Sequence, residues 1–502
     1  PLMTTPHRIV IAGGGTAGWM AANLLAHRWA DEAVAITLIE SEDIGTIGVG
    51  EGSTPTLKRF FQTLDIPEFE WMEQCQATYK VNIKFTGWSG NDLQSYSHPF
   101  ISQLDVFSER AFHVNALTRR LGLDVETRPD KFLMAGYLAK KNLAPLPSHN
   151  FPFDIEYGYH FDSLKLGRFL RERAKLKGVS HIVGNIESVH TTPSGDISHL
   201  VCQDGRTLDG DLFIDCTGFA GLLLQKTLGV RFKDFGNNLF NDSAVVLPTP
   251  ACASLPVETE SVAMSNGWRW QIPLRNRTGN GYVYSQRYQD KDAAECELRR
   301  ALGMENTDVE AKHLAMRVGQ CERHWEKNCL ALGLSQGFIE PLEATALHLV
   351  QTSIELFADN YSFNETTSQQ RQAFNQEVTE RFERVRDYIV CHYKLNGRND
   401  SDYWRDNRAN MKLSESLLSL LDVWYRKGDI VEEIKRQGIG RHFSTTSWHC
   451  LLSGYGIYPP PAPNQPASLK EAGDLFEEKK LAAFFNRCSL NFDKQSALFN
   501  VG

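Results

Sequence analysis

The chain has 502 residues with 53 lysines and arginines against 61 aspartates and glutamates, which gives a formal charge of −8, and 42% of its residues are hydrophobic. This composition excludes a disordered chain, a collagen and a disulfide-rich miniprotein. The length allows about three domains of roughly 150 residues, or fewer if one large α/β unit carries insertions. Because the basic residues are scattered, the sequence offers no positive surface for a nucleic acid.

The cysteine spacing and the hydropathy of the sequence indicate the compartment of the protein. The ten cysteines include no C-x-x-C pair and no cysteine–histidine grouping with zinc spacing, so we expect free thiols and no metal centre. No apolar run approaches the roughly 18 to 20 residues of a membrane helix, and the first residues lack the layout of a signal peptide. The sequence therefore predicts a cytoplasmic protein with no membrane partner.

The first forty residues predict a β-α-β unit, with strands over 8–12 and 33–40 and a helix over 19–29. The turn between the first strand and the helix reads G-x-G-x-x-G, and the glycines allow close approach of backbone N–H groups to a pyrophosphate. Glu40 ends the second strand, where a carboxylate can accept hydrogen bonds from ribose hydroxyls. The motif predicts dinucleotide binding, although a purely structural glycine turn shows the same pattern. The residues expected to bind are Gly13, Gly15, Thr16, Ala17, Gly18 and Glu40.

Two later segments bear on which dinucleotide binds, since FAD and the nicotinamides share the adenosine diphosphate half. The glycine-rich loop over 45–55 follows the β-α-β unit, and we expect Gly48, Val49 and Gly50 to contact the cofactor. A strand over 211–215 runs into a Thr-Gly turn, which places Asp215 and Gly218 where many flavoproteins return to their cofactor. This favours flavin; the alternative is an ordinary strand end.

The remaining chain is predicted as a mixture of helices and short strands. Residues 57–85 are expected to be helical, 88–154 irregular, 162–177 a helix, 192–210 hairpin-like, 240–290 antiparallel strands and 343–440 helical. A proline-rich loop covers 459–466, and short helices follow over 468–496.

Several spaced segments together resemble the flavin-dependent halogenases of the tryptophan and indole type. The segments are the W-x-W-x-I-P signature at Trp268–Pro273, the N-terminal GGGTAGW, the loop 48–55, the segment YKVNIKF at 79–85, GFIEPLE at 337–343, and His392-Tyr393 followed by Asn399-Asp400 and Trp404. The resemblance spans most of the chain. It implies an α/β fold: a Rossmann-type FAD-binding module of the flavin monooxygenase type with mixed β-sheets over 1–90 and 155–350. A mainly helical substrate module would occupy 91–154 and 351–502.

The resemblance also implies a reaction. Reduced flavin takes up O₂, bromide or chloride attacks the flavin peroxide, and hypohalous acid travels to a separate pocket that holds an indole-like arene. FAD would be used as FADH2 and would arrive from a separate flavin reductase, because the chain carries no second dinucleotide motif. Gly333 and Ile339 join the expected flavin contacts. The sequence suits a monomer or a homodimer.

The catalytic pair comes from the resemblance alone. Lys80 corresponds to the catalytic lysine, which either holds hypohalous acid by a hydrogen bond or becomes a haloamine, and Lys84 is its nearest competitor on a segment expected to be helical. Glu343 corresponds to the acidic partner, which polarises the halogenating species or takes the arenium proton. Backbone N–H groups of Thr345 and Ala346 are expected to hold the halide. The usual serine and glycine of this segment are Ala344 and Ala346 here, so we expect bromide to be used better than chloride.

The substrate pocket and its separation from the flavin also follow from the resemblance. His98 and Phe100 match a segment that supplies aromatic faces to the indole pocket, and Trp448 is expected to cap it. On the residues alone, a surface histidine and a core phenylalanine are nearly as good an interpretation. Trp268, Trp270, Ile272 and Pro273 would form a stiff wall between substrate and flavin, whereas spacing alone suggests two core aromatics on one strand face.

Two other functions stay open from the sequence. A flavin monooxygenase that hydroxylates an arene would use the same fold without the wall or Lys80. A catalytically silent flavin-binding protein would explain the changes at 344 and 346.

Overall fold

A computed structural model of the chain describes residues 5–42, 49–91 and 94–499. The described residues fall into two compact units: Pro1–Ala77 with Phe161–Gly236 and Met316–Glu383, and Thr78–His160 with Asn237–Ala315 and Arg384–Gly502. In the described stretches, no helix combines the length and the apolar character that crossing a bilayer requires. Gly48 lies outside the described residues.

The strands are short and numbered in chain order. They are β1 His7–Ala12, β2 Val34–Glu40, β3 Gly50–Gly52, β4 Thr78–Lys80, β5 Asn82–Thr86, β6 Ser95–Pro99, β7 Leu143–Pro147, β8 Gly158–Asp162, β9 Ser180–Val183, β10 Ile186–Thr191, β11 Ile197–Cys202, β12 Thr207–Asp209, β13 Leu212–Asp215, β14 Phe232–Asp234, β15 Ser243–Thr249, β16 Glu258–Met264, β17 Gly267–Pro273, β18 Thr278–Tyr284, β19 Lys312–Ala315, β20 Gly319–Cys321, β21 Trp325–Glu326, β22 Cys329–Ala331, β23 Gly337–Phe338 and β24 Phe492–Lys494.

The helices are numbered in the same way. They are α1 Thr16–Arg28, α2 Thr56–Thr63, α3 Glu68–Gln74, α4 Val106–Arg120, α5 Pro129–Phe132, α6 Met134–Lys140, α7 Ser163–Leu176, α8 Lys291–Leu302, α9 Ala346–Asn360, α10 Ser368–Lys394, α11 Asp402–Ala409, α12 Glu415–Tyr425, α13 Ile430–Gln437, α14 Thr445–Gly454, α15 Ala467–Gly473, α16 Glu478–Cys488 and α17 Gln495–Leu498.

The first unit is built on a six-stranded sheet with the order β21-β22-β13-β1-β2-β9. Strand β1 pairs in parallel with both β2 and β13, so Ala12 lies beside Ile39 on one side and Asp215 on the other. The apolar run Ile9–Ala12 is fully buried, as expected for a central parallel strand covered on both faces. The predicted β-α-β unit and the predicted strand before the Thr-Gly turn are confirmed.

The second unit is built on a seven-stranded sheet with the order β19-β15-β18-β17-β16-β5-β6. Strands β15 to β18 are antiparallel neighbours, as the alternating pattern over 240–290 predicts. Strand β16 pairs in parallel with β5, the strand that follows Lys80. Residues 237–315 and the Lys80 segment thus belong to one compact unit.

Two segments differ from the sequence expectations. Residues 78–86 are strands β4 and β5 rather than a helix, because Val81, Ile83 and Phe85 alternate as buried side chains with the less buried Lys84 and Thr86. Residues 88–154 are not irregular: helices α4, α5 and α6 lie there, and their aromatic and polar composition hides the helical period. The mixed α/β class itself is confirmed.

Candidate active site

The glycine turn between β1 and α1 has the geometry of a phosphate-binding turn. Gly13 has a φ of 113°, and a Cβ there would lie 2.0 Å from the carbonyl oxygen of Cys216, so only glycine fits. A Cβ at Gly15 meets no atom within 4 Å, so the residue directly before α1 opens onto free space. The N-terminal end of α1, with its positive dipole, borders that space.

A cavity of about 360 Å³ in the first unit begins at this turn. It brings together predicted cofactor residues from four separate parts of the sequence: Gly15, Thr16, Ala17, Gly18, Gly218, Gly333, Ile339 and the predicted halide residue Ala346. The lining also includes residues that sequence reasoning missed, among them Glu51, Ser163, Cys216, Gln336 and Leu347. The predicted residues that do not line it are Gly13, Glu40, Val49, Gly50, Asp215 and Thr345.

Glu40 lies beside the glycine turn, as its position at the end of β2 predicts. A Cβ at Gly14 would lie 1.5 Å from Glu40 Oε2, so this carboxylate oxygen covers the turn. The other oxygen, Oε1, lies 2.7 Å from Nε2 of His181 on β9. His181 is a residue that sequence reasoning missed, and it fixes the orientation of the Glu40 carboxylate.

Asp215 is buried and holds the turn that follows β13. Its Oδ1 accepts hydrogen bonds from Thr217 N and Oγ1 at 3.0 and 2.6 Å and from Ser335 Oγ at 3.1 Å. Its Oδ2 accepts from the backbone N–H groups of Leu223 and Leu224 at 3.0 and 2.9 Å. The side chain thus shapes the backbone at Gly218, which lines the cavity.

Glu343 and Thr345 stand immediately before α9. Glu343 is 4% exposed and ends a short 3₁₀ turn, and Ala344 takes a left-handed conformation with a φ of 54°. Thr345 caps α9 without a side-chain hydrogen bond, and among the described residues its buried hydroxyl has no hydrogen-bond partner. The N-terminus of a 15-residue helix therefore starts at Ala346, on the cavity wall.

Glu51 in β3 is the acidic residue of the cavity lining. Burial, together with the negative charge of Asp162, raises the pKa of its carboxyl to about 7. Asp162 itself is buried and caps α7, where its Oδ1 accepts a hydrogen bond from Lys165 N at 3.0 Å. Close to neutral pH, the Glu51 carboxyl exists in both protonation states.

In the second unit, Lys80 ends β4 and its side chain is fully buried. Its Nζ lies 5.5 Å from the centre of the Phe100 ring. His160, on the paired strand β8, is held on both ring nitrogens: Nε2 lies 2.7 Å from Thr259 Oγ1 and Nδ1 lies 3.3 Å from Thr78 Oγ1. Burial, and then the charge of Lys80, keep the pKa of His160 well below its usual range, so His160 is neutral at pH 7.

The predicted pocket residues His98 and Trp448 are brought together by Tyr388, which sequence reasoning missed. The Tyr388 hydroxyl lies 3.3 Å from the ring nitrogens of His98 and donates to Ser447 O at 2.9 Å. The Tyr388 ring stacks on Phe443 at 3.9 Å and meets Trp448 edge-on at 4.8 Å. No sequence signal links these residues, since 290 positions separate His98 from Tyr388. We call the four ring-bearing residues, His98, Tyr388, Phe443 and Trp448, the aromatic cluster.

Trp268 and Trp270 lie on β17 with their ring centres 6.1 Å apart, and both are buried. Ile272 continues the same face, and Pro273, which is also buried, ends the strand. Gly281 lies opposite Trp270 on β18, and a Cβ there would lie 2.0 Å from Trp270 Cζ2. Thr78 Oγ1 donates to Pro273 O at 2.7 Å, so the end of this strand is tied to the strand that carries Lys80.

Comparisons with known proteins agree with these observations. A family model described as tryptophan halogenase matches residues 8–470. Tryptophan 6-halogenase SttH from Streptomyces toxytricini is 37% identical over 441 residues, which cover 84% of this chain and 84% of that protein. The crystal structure of SttH has a TM-score of 0.84 at 32% identity, covering 98% of this chain and 99% of that chain. Xcc4156, a flavin-dependent halogenase from Xanthomonas campestris, has a TM-score of 0.83 at 34% identity, covering 99% and 98%.

Proposed function

The chain belongs to the tryptophan halogenase family, an enzyme family that uses reduced flavin, and on that premise we propose that it halogenates an indole-like arene through Lys80 and Glu343. The oxidant would be hypohalous acid made from bromide or chloride with FADH2 and O₂. A separate reductase would supply the reduced flavin. FAD in the first unit, the halide at Thr345 and Ala346, and a small aromatic substrate complete the proposal.

The observation that carries the proposal is the environment of Lys80. A fully buried lysine is uncommon, because burying a charged amine is costly unless the site uses it. The neighbouring His160 is neutral and adds no second positive charge, and the ring of Phe100 faces Nζ at 5.5 Å. Such an amine can hold hypohalous acid by a hydrogen bond, or carry the halogen as a haloamine, away from bulk water.

The lining of the cavity supports FAD binding in the first unit. The glycine turn leaves open space at Gly15 beside the start of α1, and the cavity continues to Gly218, Gly333 and Ile339. Bound reduced FAD would activate O₂ for oxidation of the halide. The chain's own contribution is to orient the cofactor: His181 fixes Glu40 for the ribose, and Asp215 fixes the turn that carries Gly218.

The halide would be held at the start of α9. Free N–H groups at a helix N-terminus attract anions, and the hydroxyl of Thr345 is buried there without a partner among the described residues. Glu343 stands two residues before Thr345, where its carboxylate can polarise the oxidised halogen or accept the arenium proton.

The aromatic cluster favours an uncharged arene over a free amino acid. Tyr388, Phe443 and Trp448 pack their rings against one another, and an aromatic setting of this kind suits a flat π-system. The Tyr388 hydroxyl already donates to Ser447 O, and none of these three side chains carries a formal charge that would pair with an ammonium or a carboxylate. Trp268, Trp270, Ile272 and Pro273 are proposed as the wall that keeps this arene from the flavin.

The test is mass spectrometry of indole and of tryptophan incubated with the protein, FAD, a flavin reductase, NADH, O₂ and either bromide or chloride. We expect a halogen isotope pattern, more product from indole than from tryptophan, and more from bromide than from chloride. Lys80→Ala should abolish product while FAD still binds. Lys84→Ala is the matched control, because Lys84 lies on the adjacent strand β5 with its side chain partly exposed.

Each alternative has its own signature in this assay. Addition of oxygen to the arene would establish the hydroxylase. Flavin binding and reoxidation without either product, across a panel of arenes, would establish the silent flavin-binding protein. Equal loss of product in Lys80→Ala and Lys84→Ala would remove Lys80 from the mechanism.

A further inference from the structure

Glu51 is a carboxyl group inside the cavity that the halogenation mechanism does not use. It lies on β3 and shares the cavity wall with Thr16, Ser163 and Ala346. Its strand is anchored at Val49, whose carbonyl oxygen accepts hydrogen bonds from Ser163 N and Oγ at 3.1 and 2.9 Å. Glu51 therefore lines the same cavity as Ala346 of the proposed halide site.

The groups around Glu51 oppose a negative charge there. Asp162, at the start of α7, is the charged group that acts on it, and burial acts in the same direction. Cys216, which also lines the cavity, has a pKa well above its usual range because it is buried and because Asp215 is close, so its thiol stays protonated. Among the described residues that line the cavity, no lysine, arginine or histidine offsets the charge.

We propose that a halide binds in this cavity only when the Glu51 carboxyl carries a proton, so that each halide bound takes up one proton from solution. This inference rests on the proposed halide site at Thr345 and Ala346. The step is a binding equilibrium: carboxylate, proton and halide give the protonated carboxyl with the halide bound, and no electrons move.

The physical reason is the size and polarity of the space. Two negative charges within one cavity of about 360 Å³ repel each other, and the repulsion between charges is stronger at a protein surface or interior than in bulk water. The two effects are reciprocal: the ionised Glu51 carboxylate weakens halide binding, and a bound halide raises the pKa of the Glu51 carboxyl. Halide affinity should therefore be constant below pH 7 and fall by up to about tenfold per pH unit above it.

The experiment uses the FAD-loaded protein and bromide, followed by flavin fluorescence at pH 6, 7, 8 and 9. The wild-type Kd for bromide should rise by about tenfold between pH 8 and pH 9. Glu51→Gln, which is neutral and nearly isosteric, should bind bromide with the same affinity at every pH. Glu51→Asp keeps a titrating carboxyl and should keep a pH dependence. A pH-indicator dye in weak buffer should record about one proton taken up per bromide at pH 8 by the wild type and none by Glu51→Gln.

Glu343 is the other carboxyl close to the start of α9, and Glu343→Gln separates its titration from that of Glu51. Loss of the pH dependence in Glu343→Gln, with its retention in Glu51→Gln, would overturn the assignment. Bromide affinity that does not change with pH in the wild type would overturn the proposal and leave the halogenase function standing. A wild type that binds no bromide at any pH would overturn both this inference and the proposed halide site.

Discussion

Replacement of Gly281 by alanine tests the close fit between β18 and the tryptophan wall. A Cβ at Gly281 would lie 2.0 Å from Cζ2 and 2.2 Å from Cη2 of Trp270, far inside contact distance. The Trp270 ring is buried and faces Trp268, so it cannot move away without disturbing its neighbours. Overpacking of this kind costs about 1–3 kcal/mol of unfolding free energy. We expect Gly281→Ala to lower the stability by that amount.

The assay is chemical denaturation of the FAD-loaded protein, with two companion variants. Gly440→Ala is the matched control, because the nearest atom to its added Cβ is Ile434 Cγ2 at 3.5 Å, an ordinary contact. Trp270→Phe replaces the indole, whose atoms lie nearest the added Cβ, with a smaller ring, so alanine at 281 should be less destabilising in that background. The reasoning would be refuted if Gly281→Ala unfolded like Gly440→Ala, or if its cost were unchanged by Trp270→Phe.

Two further predictions concern buried polar groups. Asp215→Asn should lose about 2–4 kcal/mol of stability and weaken FAD binding, because an amide cannot accept all the hydrogen bonds that the carboxylate accepts; denaturation and a flavin titration measure both, and an unaltered FAD affinity would contradict it. His113 and His449 stack at 4.1 Å, and burial lowers their pKa values to about 4 and about 3. Unfolding exposes both histidines and lets them take up protons below about pH 6.5. The free energy of unfolding should therefore fall by about 1.4 kcal/mol per pH unit per histidine as the pH drops from 6.5 toward 4. A double variant with both histidines replaced by glutamine should show a flatter dependence of stability on pH.

The parts of the fold predicted correctly are those governed by local rules. The glycine spacing after an apolar strand specifies the β-α-β unit, and alternation over 240–290 specifies the antiparallel strands. The segment that carries Lys80 was expected to be helical, although Val81, Ile83 and Phe85 alternate in the manner of a strand. The helical pattern ends at Gln74, and beyond it the period of two governs the structure.

The residues that sequence reasoning missed are those whose neighbours come from distant parts of the chain. Tyr388 joins His98 to Trp448 only because a helix brings it there, and His181 reaches Glu40 only through the pairing of β2 with β9. Glu51 sits in the glycine-rich segment that the sequence identifies as a binding loop, yet its pKa is raised by burial and by the charge of Asp162, more than a hundred residues later. Local patterns contain no information about such pairings.

Some predicted cofactor residues shape the backbone around the cavity, and others line the cavity itself. Mutation of the two groups should have different effects. Asp215 and Gly13 do not line the cavity, and they shape the backbone that does. Their replacement should lower stability and flavin affinity together, since one distortion causes both. Ile339 and Ala346 line the cavity directly. Their conservative replacement should change flavin or halide affinity with little loss of stability, because the surrounding hydrogen bonds do not depend on them.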